Sequence, residues 1–257
     1  MQAVQLRKWG DFGAVASYYH NWPSYSPALL KHLIAFVRAE KTTVVADIGA
    51  GTGTLTRMLQ AHGLHGYAIE PDEKMRSAGI ERCGTNSFEW TAGSAEDTGL
   101  PSKSIDWIVM GNAFHWIDSH RSLEEFRRVL RDRATVSLLW VLRDIRRDAL
   151  LQEIESIIHD AAPNIRRTLD LVLKCMDSVE DCLMAAGFSD CYRLEMPHKE
   201  KMSASRFRDA WRTITDVPCQ VGEKKWAEIL NQIDALTLDE ISIEMSMRTY
   251  AWTFRAL

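Results

Sequence analysis

Residues 43–60 of the 257-residue chain read TVVADIGAGTGTLTRMLQ and carry its most informative pattern. The apolar residues 44–46 end in Asp47, three glycines follow at alternate positions, and apolar residues then return at helical spacing. This order predicts a strand, a glycine loop and a helix. Glycine allows backbone angles and close approaches that a side chain would block, so a ligand can lie against the main chain at the positive end of the helix.

A second acidic residue supports a nucleotide-like ligand. The apolar run at residues 66–69 ends in Glu70, about 20 residues after the glycine loop, where such folds place an acid on ribose hydroxyls. The loop itself has glycines at 49, 51 and 53, which is GxGxG spacing rather than the nicotinamide-type GxGxxG. A nicotinamide oxidoreductase is therefore the disfavoured alternative.

The segment from Asp47 to Gly53, followed by Glu70, resembles the class I S-adenosylmethionine-dependent methyltransferases. A third apolar run leads into residues 111–116, GNAFHW, which resemble the small-molecule branch that includes trans-aconitate and ubiquinone-type C-methyltransferases. The resemblance covers residues 12–142 well and the carboxyl half loosely. It implies an α/β fold, a Rossmann-like doubly wound seven-stranded sheet that is mostly parallel with an antiparallel last strand, plus helical lid insertions.

The resemblance, together with the helical patterns after residue 143, divides the chain into five segments. It implies that residues 1–142 form an N-terminal cap and the cofactor-binding core, and residues 143–178 a helical lid insertion. The chain then returns to the core at 179–202, forms a second helical lid segment at 203–240, and ends in the final core strand at 241–257.

Two local patterns refine the carboxyl half. Ser178 to Asp181 resembles a capping box with Asp in place of Glu, which predicts a helix that begins at residue 179. In the last strand, the alternation of apolar residues slips by one position around Arg248 and Thr249, which predicts a bulge or kink there.

The resemblance implies S-adenosyl-L-methionine as cofactor and S-adenosyl-L-homocysteine as its product. Glu70 would bind the ribose, the glycine loop the methionine portion, and Asp47 the ammonium group, directly or through water. In the family, an acid in the loop after the third strand usually meets the adenine amine; here Ser94 occupies that position, so Ser94 or Glu96 must do so. The candidate cofactor residues are Asp47, Gly49, Ala50, Gly51, Gly53, Glu70, Pro71, Ser94, Ala95, Glu96 and Asn112.

The aromatic leader at residues 1–26, which includes Trp9, is similar to the family segment that folds over the cofactor and the substrate mouth. Tyr19 matches the family's tyrosine. Trp22 stands where many relatives carry an arginine, which argues against an anionic substrate held by that arginine. The candidate substrate-binding residues are Tyr19, Trp22, Tyr25, His115 and Trp116.

His115 and Tyr19 are the candidate catalytic residues. An unperturbed imidazole titrates near pH 6.5, so His115 could accept a proton from an oxygen or nitrogen nucleophile. The alternative for His115 is a packing role beside Trp116. The pattern of residues predicts no metal site. Methyl transfer itself depends more on positioning of the two reactants than on covalent catalysis by the protein.

The whole-chain properties restrict the partners. A net charge of −4 gives no electrostatic footprint for nucleic acid. The five cysteines are scattered along the chain, and the amino terminus has no apolar leader, which together predict a cytoplasmic protein with reduced thiols. The sequence has no apolar run of about 18 residues, which predicts no membrane partner. The sequence leaves the oligomeric state open.

These observations favour a methyltransferase that moves a methyl group to an oxygen, nitrogen or carbon nucleophile of a small-molecule metabolite by in-line displacement. Methylation of RNA or protein is an alternative, against which the acidic balance and two apolar lids argue. The remaining alternative is a protein that binds S-adenosylmethionine without transferring its methyl group. A blocked pocket above the sulfonium would favour this alternative.

Overall fold

The computed structural model describes residues 10–256, so Trp9 and the rest of the first nine residues of the predicted leader lie outside the described part. The described residues contain one seven-stranded sheet with the strand order 3-2-1-4-5-7-6. Its strands are β1 (Val44–Ile48), β2 (His65–Ile69), β3 (Phe88–Thr91), β4 (Ile105–Gly111), β5 (Leu130–Arg143), β6 (Phe188–Ser203) and β7 (Ser242–Ala256).

The strand directions confirm the predicted fold class. Strands β1 to β5 pair in parallel, whereas β7 lies between β5 and β6 and runs antiparallel to both. The order of connections reverses between β1 and β4, its neighbour in the sheet. Ligands of open α/β sheets bind at the carboxyl ends of the strands near such a reversal, which is where Asp47 and the glycine loop lie.

Helices cover both faces of the sheet, and several begin with a capping side chain. The Ser26 hydroxyl accepts a hydrogen bond from the Leu29 amide at 3.3 Å, and Asp72 and Asp118 cap two later helices. The helices are α1 (Ala16–Tyr19), α2 (Pro27–Val37), α3 (Thr54–Ala61), α4 (Glu73–Cys83), α5 (Ser119–Val129), α6 (Ala149–Ala161), α7 (Thr168–Ala185), α8 (Ala204–Trp211), α9 (Pro218–Val221) and α10 (Glu223–Leu236).

Strand β7 shows that the predicted bulge at Arg248 and Thr249 is wrong. Its register against β5 and β6 is continuous through these residues. The apolar phase changes because Met245 and neighbouring side chains pack with α2, α8 and α10 on one face, whereas Phe254 packs with α5 and α7 on the other. The register shift lies instead in β6, near Asp190, which has a φ of 54°.

Helix α7 runs through the predicted boundary between residues 178 and 179. The capping interpretation of Ser178 is wrong, since its hydroxyl donates to the Lys174 carbonyl at 3.1 Å within the helix. Val172 and Leu183, near the two ends of the helix, are both buried in the same cluster against the sheet. This continuous apolar stripe outweighs the local capping signal, so residues on both sides of the boundary belong to one core helix.

The helical segment at 203–240 packs on the opposite sheet face. Phe207 of α8 and Trp226 of α10 are buried in the cluster that also contains Val45 and Trp107 of the sheet. Helix α10 also contacts α6. The large aromatic side chains of these helices therefore contribute mainly to the core.

The close contact between β1 and β2 generates a stability prediction. A Cβ atom on Gly66 would lie 1.9 Å from the Val45 carbonyl oxygen, at a φ of 148°. We expect Gly66→Ala to lower the free energy of unfolding by about 3 kcal/mol or more, since the backbone itself must move. Urea unfolding measures the change.

Gly84→Ala is the matched control. Gly84 also has a positive φ, 67°, but a Cβ there meets no atom within 4 Å. We expect only the conformational cost of about 1 kcal/mol. Equal losses in the two variants would contradict the steric explanation.

Candidate active site

A cavity of about 380 Å³ lies at the carboxyl ends of β1, β2 and β4. Its walls come from the glycine loop, the loops after β2 and β3, and the leader. Ten of the eleven predicted cofactor residues line it: Asp47, Gly49, Ala50, Gly51, Glu70, Pro71, Ser94, Ala95, Glu96 and Asn112.

Gly53 is the exception and does not line the cavity. It has a φ of 81°, and a Cβ there would lie 2.3 Å from the Cys83 sulfur. The glycine at this position allows close packing of the loop against α4. The predicted ligand contact of Gly53 stays a prediction that this cavity does not support.

Glu70 connects the loops that form the cavity. Its Oε2 accepts a hydrogen bond from the Gly51 amide at 2.8 Å, and its Oε1 accepts one from the Asp72 amide at 3.0 Å. Burial raises the pKa of Glu70, and these amide donors act in the opposite direction. Each carboxylate oxygen retains a second lone pair for a ligand hydroxyl.

Asp47 presents an unused acceptor in the buried floor of the cavity. Its Oδ2 accepts a hydrogen bond from the Thr56 hydroxyl at 2.6 Å, whereas its Oδ1 has no partner among the described residues. Burial raises the pKa of Asp47 to about 7. An unpartnered buried carboxylate oxygen of this kind suits a cationic group of a ligand.

The loop after β3 forms the far wall. The Ser94 amide donates to the Asp97 carbonyl at 2.9 Å, and Glu96 Oε1 accepts from the Asp118 amide at 2.9 Å. Burial raises the pKa of Glu96, but hydrogen bonds from Asp118 and other donors outweigh it and lower the pKa overall. Both Ser94 and Glu96 remain on the cavity wall, so both stay candidates for the adenine amine.

The predicted leader aromatics gather at this cavity. The rings of Tyr19 and Trp22 stack at 6.3 Å, and Phe12 meets both Tyr19 and Trp116 edge to face. Tyr25 is buried on the same wall, against the carboxyl end of β4, where a Cβ on Gly111 would lie 2.2 Å from the Tyr25 hydroxyl.

A second cavity of about 130 Å³ adjoins the first. The two share Phe12, Tyr19, Trp22, Asn112 and Trp116 as lining residues. The additional walls come from the end of β5, the start of α7 and the connection between α8 and α9. Of the predicted substrate residues, Tyr19, Trp22, His115 and Trp116 line this second cavity, whereas Tyr25 lines only the first.

The geometry of His115 does not support the predicted general base. The indole N–H of Trp140 donates to Nδ1 of His115 at 3.2 Å, so Nδ1 acts as an acceptor and Nε2 carries the proton. Burial lowers the pKa of His115 to about 4. The neutral imidazole therefore has no free lone pair, and its Nε2–H can only donate a hydrogen bond.

Tyr19 is also a poor base at neutral pH, because it keeps its proton. Burial, together with the charge of Glu70, raises the pKa of Tyr19 to about 12. The side chain keeps its proton, so it can orient a ligand or exclude water.

The sequence interpretation missed Arg143, which ends β5 and lines the second cavity. Its guanidinium lies 4.8 Å from the ring centroid of Trp22 and 3.9 Å from that of Trp211. Its Nε and Nη2 atoms are buried and have no hydrogen-bond partner among the described residues. The position was detectable as the arginine that ends a long apolar run, at the ligand-binding edge of the sheet.

Burial lowers the pKa of Arg143 to about 10, so the side chain remains charged at neutral pH. An unsatisfied buried donor costs about 1–3 kcal/mol, and more when it is charged. A buried charged group in a cleft with a perturbed pKa is a candidate functional group.

Arg167, which was also missed, has the opposite environment. It pairs with Glu155, and its Nε donates to Asp216 Oδ2 at 3.1 Å. Asp216 Oδ2 also accepts from the Thr168 amide at 2.7 Å. This network forms one wall of the second cavity.

Within residues 10–256, no three His, Cys, Asp or Glu side chains come together as a metal site would require. In the same part of the chain, no helix combines the length and apolar character needed to span a bilayer.

Comparison with known proteins agrees with this architecture. Residues 46–138 match the family described as a methyltransferase domain. An uncharacterized methyltransferase of Mycobacterium tuberculosis is 34% identical over 137 residues, which cover 53% of this chain and 54% of that protein. The chain thus spans about half the length of this curated relative. An uncharacterized methyltransferase of Schizosaccharomyces pombe is 22% identical over 226 residues, 84% of this chain and 83% of that protein.

Solved structures share the fold at low sequence identity. Phosphoethanolamine N-methyltransferase 2 of Haemonchus contortus, in complex with S-adenosyl-L-methionine, superposes with a TM-score of 0.57 at 14% identity, covering 95% of this chain and 57% of that one. The YcgJ protein of Bacillus subtilis gives 0.53 at 16% identity, covering 89% and 98%. The domain match and these relatives make the chain similar to methyltransferases, and the solved structures share its fold.

Proposed function

We propose that the protein transfers the methyl group of S-adenosyl-L-methionine to an oxygen, nitrogen or carbon atom of a small-molecule metabolite. The observation that carries this proposal is the pair of adjoining cavities with different chemistry. The first has carboxylate acceptors and a glycine loop. The second is small and largely apolar, and Tyr19, Trp22 and Asn112 lie between the two.

The residues of the first cavity fit the cofactor. The free Oδ1 of Asp47 suits its ammonium group, and the carboxylate of Glu70 suits its ribose hydroxyls. The glycine loop allows close approach of the methionine portion, and residues 94–96 suit the adenine edge. When bound, S-adenosyl-L-methionine supplies a methyl group activated by positive charge on sulfur.

The chain's own contribution is positioning. The faces of Tyr19, Trp22 and Phe12 exclude water and favour positive charge next to them. His115 keeps a proton on Nε2 and Tyr19 keeps its own, so neither removes a proton from the acceptor at neutral pH. Holding two reactants in the right orientation lowers the activation barrier by roughly 7–11 kcal/mol at best. We propose that this is the main source of catalysis in such a site.

The dimensions of the second cavity favour a small acceptor over the alternatives. A volume of about 130 Å³ suits a metabolite and gives no groove for a nucleic acid or a protein segment. A cavity beside the cofactor site also favours transfer over cofactor binding alone. We further propose a cytoplasmic location and no nucleic-acid or membrane partner, which the five free cysteines and the net charge of −4 support.

The proposal is tested by incubating the protein with methyl-labelled S-adenosyl-L-methionine and a cell extract, then separating the products by size. We expect label in the small-molecule fraction. Label in RNA or protein would overturn the small-molecule acceptor. Tight cofactor binding without any transfer would overturn the enzymatic role.

Asp47 provides a second test, because its folded-state pKa of about 7 lies above the unfolded value of 3.8. The folded chain holds a proton that the unfolded chain releases, so wild-type stability falls as the pH rises from about 4 to 7. We expect Asp47→Asn to be roughly 2–4 kcal/mol more stable than wild type at pH 8. Urea unfolding at pH 4 and pH 8 measures this difference.

The same variant tests cofactor recognition. The charged carboxylate attracts an ammonium group, so we expect wild-type affinity for S-adenosyl-L-methionine to fall below pH 7 and Asp47→Asn to bind weakly at every pH. Calorimetry measures both affinities. Asp239→Asn changes an exposed residue and serves as control. A pH-independent wild-type affinity equal to that of Asp47→Asn would remove Asp47 from the cofactor site.

A further inference from the structure

Several side chains that line the second cavity carry hydrogen-bond donors for which residues 10–256 supply no acceptor. Arg143 lines this cavity, and neither its Nε nor its Nη2 has a partner among residues 10–256. His115 adds the Nε2–H that its contact with Trp140 dictates. The indole N–H of Trp22, which also lines the cavity, is buried and has no acceptor in the described structure.

The stacking of Arg143 leaves its donors available. The rings of Trp22 and Trp211 approach the guanidinium at 4.8 and 3.9 Å, which is the cation–π arrangement. Guanidinium N–H groups point outward in the plane of the group, so stacking on its faces does not consume them. The two indoles therefore hold the cation in place while its edge remains able to donate.

The carboxylates near Arg143 are engaged elsewhere. Glu155 and Asp216 favour the charged form of Arg143 through their charges, but their hydrogen bonds go to Arg167 and to the Thr168 amide. These two acids balance the charge of the cavity wall without occupying the donors of Arg143. A ligand with acceptor atoms would complete the set.

A carboxylate fits these donors best. It accepts two parallel hydrogen bonds from a guanidinium edge and can accept others from a neutral imidazole or an indole. Apart from the network of Arg167, Glu155 and Asp216, whose charged groups pair with one another, the walls are mainly apolar and include Val141, Leu142 and Ile214. We therefore expect the rest of the ligand to be an uncharged hydrocarbon or aromatic body. The volume of about 130 Å³ restricts that body to a small one.

We infer that Arg143 is the residue that recognises the methyl acceptor, and that the acceptor is a small carboxylic acid. This inference rests on the proposed function and defines its substrate class. Trp22 stands where many relatives carry an arginine, but the substrate cavity still has a cationic side chain. Arg143 supplies one from β5, and Trp22 contributes a face on which it stacks.

The first experiment tests the charge of the acceptor by separating the small molecules of a cell extract into three pools. The small-molecule fraction of a cell extract passes over an anion-exchange resin at pH 8, and bound compounds elute first at pH 2 and then with salt. Each pool is incubated with the protein and methyl-labelled S-adenosyl-L-methionine. We expect acceptor activity only in the pH 2 pool, because carboxylates lose their charge there while phosphate esters keep one.

Acceptor activity in either of the other two pools would overturn the inference. Activity in the unbound pool means an uncharged or cationic acceptor, and activity in the salt pool means a phosphate or sulfate ester. Both of these results leave the proposed methyl transfer standing. Absence of activity in the unfractionated extract, with binding of S-adenosyl-L-homocysteine intact, contradicts the proposed function itself and the inference with it.

Variants of Arg143 test the residue with the active pool. We expect Arg143→Gln to raise the KM for the acceptor at least tenfold, and Arg143→Lys to raise it less, because lysine keeps the charge but loses the two-pronged geometry. Affinity for S-adenosyl-L-homocysteine, measured by calorimetry, stays within twofold of wild type, since Arg143 lies outside the first cavity.

Arg193→Gln is the matched control. Arg193 also stacks on a tryptophan, Trp252, at 4.8 Å, but it lines neither cavity. We expect its KM to equal that of wild type. An unchanged KM in Arg143→Gln, or equal changes in Arg143→Gln and Arg193→Gln, would show that Arg143 is structural. If Arg143→Gln fails to fold, the KM of Arg143→Lys decides, and a value equal to wild type overturns the inference.

Discussion

The carboxylate of Glu70 is the interaction on which the geometry of the site depends. It accepts hydrogen bonds from Gly51 in the loop after β1 and from Asp72 before α4. A single side chain thereby holds together the loops of two adjacent strands. Because Asp72 also caps α4, the position of that helix is linked to the same group. The shape of the first cavity follows from this local network.

The two cavities have opposite hydrogen-bonding character. The first presents acceptors from Asp47 and Glu70, whereas the second presents donors from Arg143 and His115. This division suits a cationic methyl donor in one cavity and an acceptor-rich ligand in the other. Aromatic rings lie between the two cavities, and their low polarity strengthens the electrostatic interactions next to them.

Two of these groups are held at a cost to stability. Asp47 is buried with one oxygen, and Arg143 with two nitrogens, that have no partner in the part of the chain that the structure describes. The protein tolerates them because the surrounding core is extensive, with helices packed on both faces of the sheet. Arg167 shows the structural alternative, since Glu155 and Asp216 satisfy it. The contrast separates the arginine that supports a wall from the one that is available to a ligand.

The fold and most of the first cavity were predictable because their signals are local. The glycine loop, Glu70 at the end of β2 and the Asp72 cap depend on neighbouring residues, and periodicity marks the strands. The predicted cap at Ser178 and the predicted bulge in β7 were wrong because packing against the sheet outweighed local pattern. The stack on the wall of the second cavity joins Trp22, Arg143 and Trp211, which are far apart in the chain. Only the folded arrangement brings these side chains into contact, since no short-range hydrogen bond or periodicity links them.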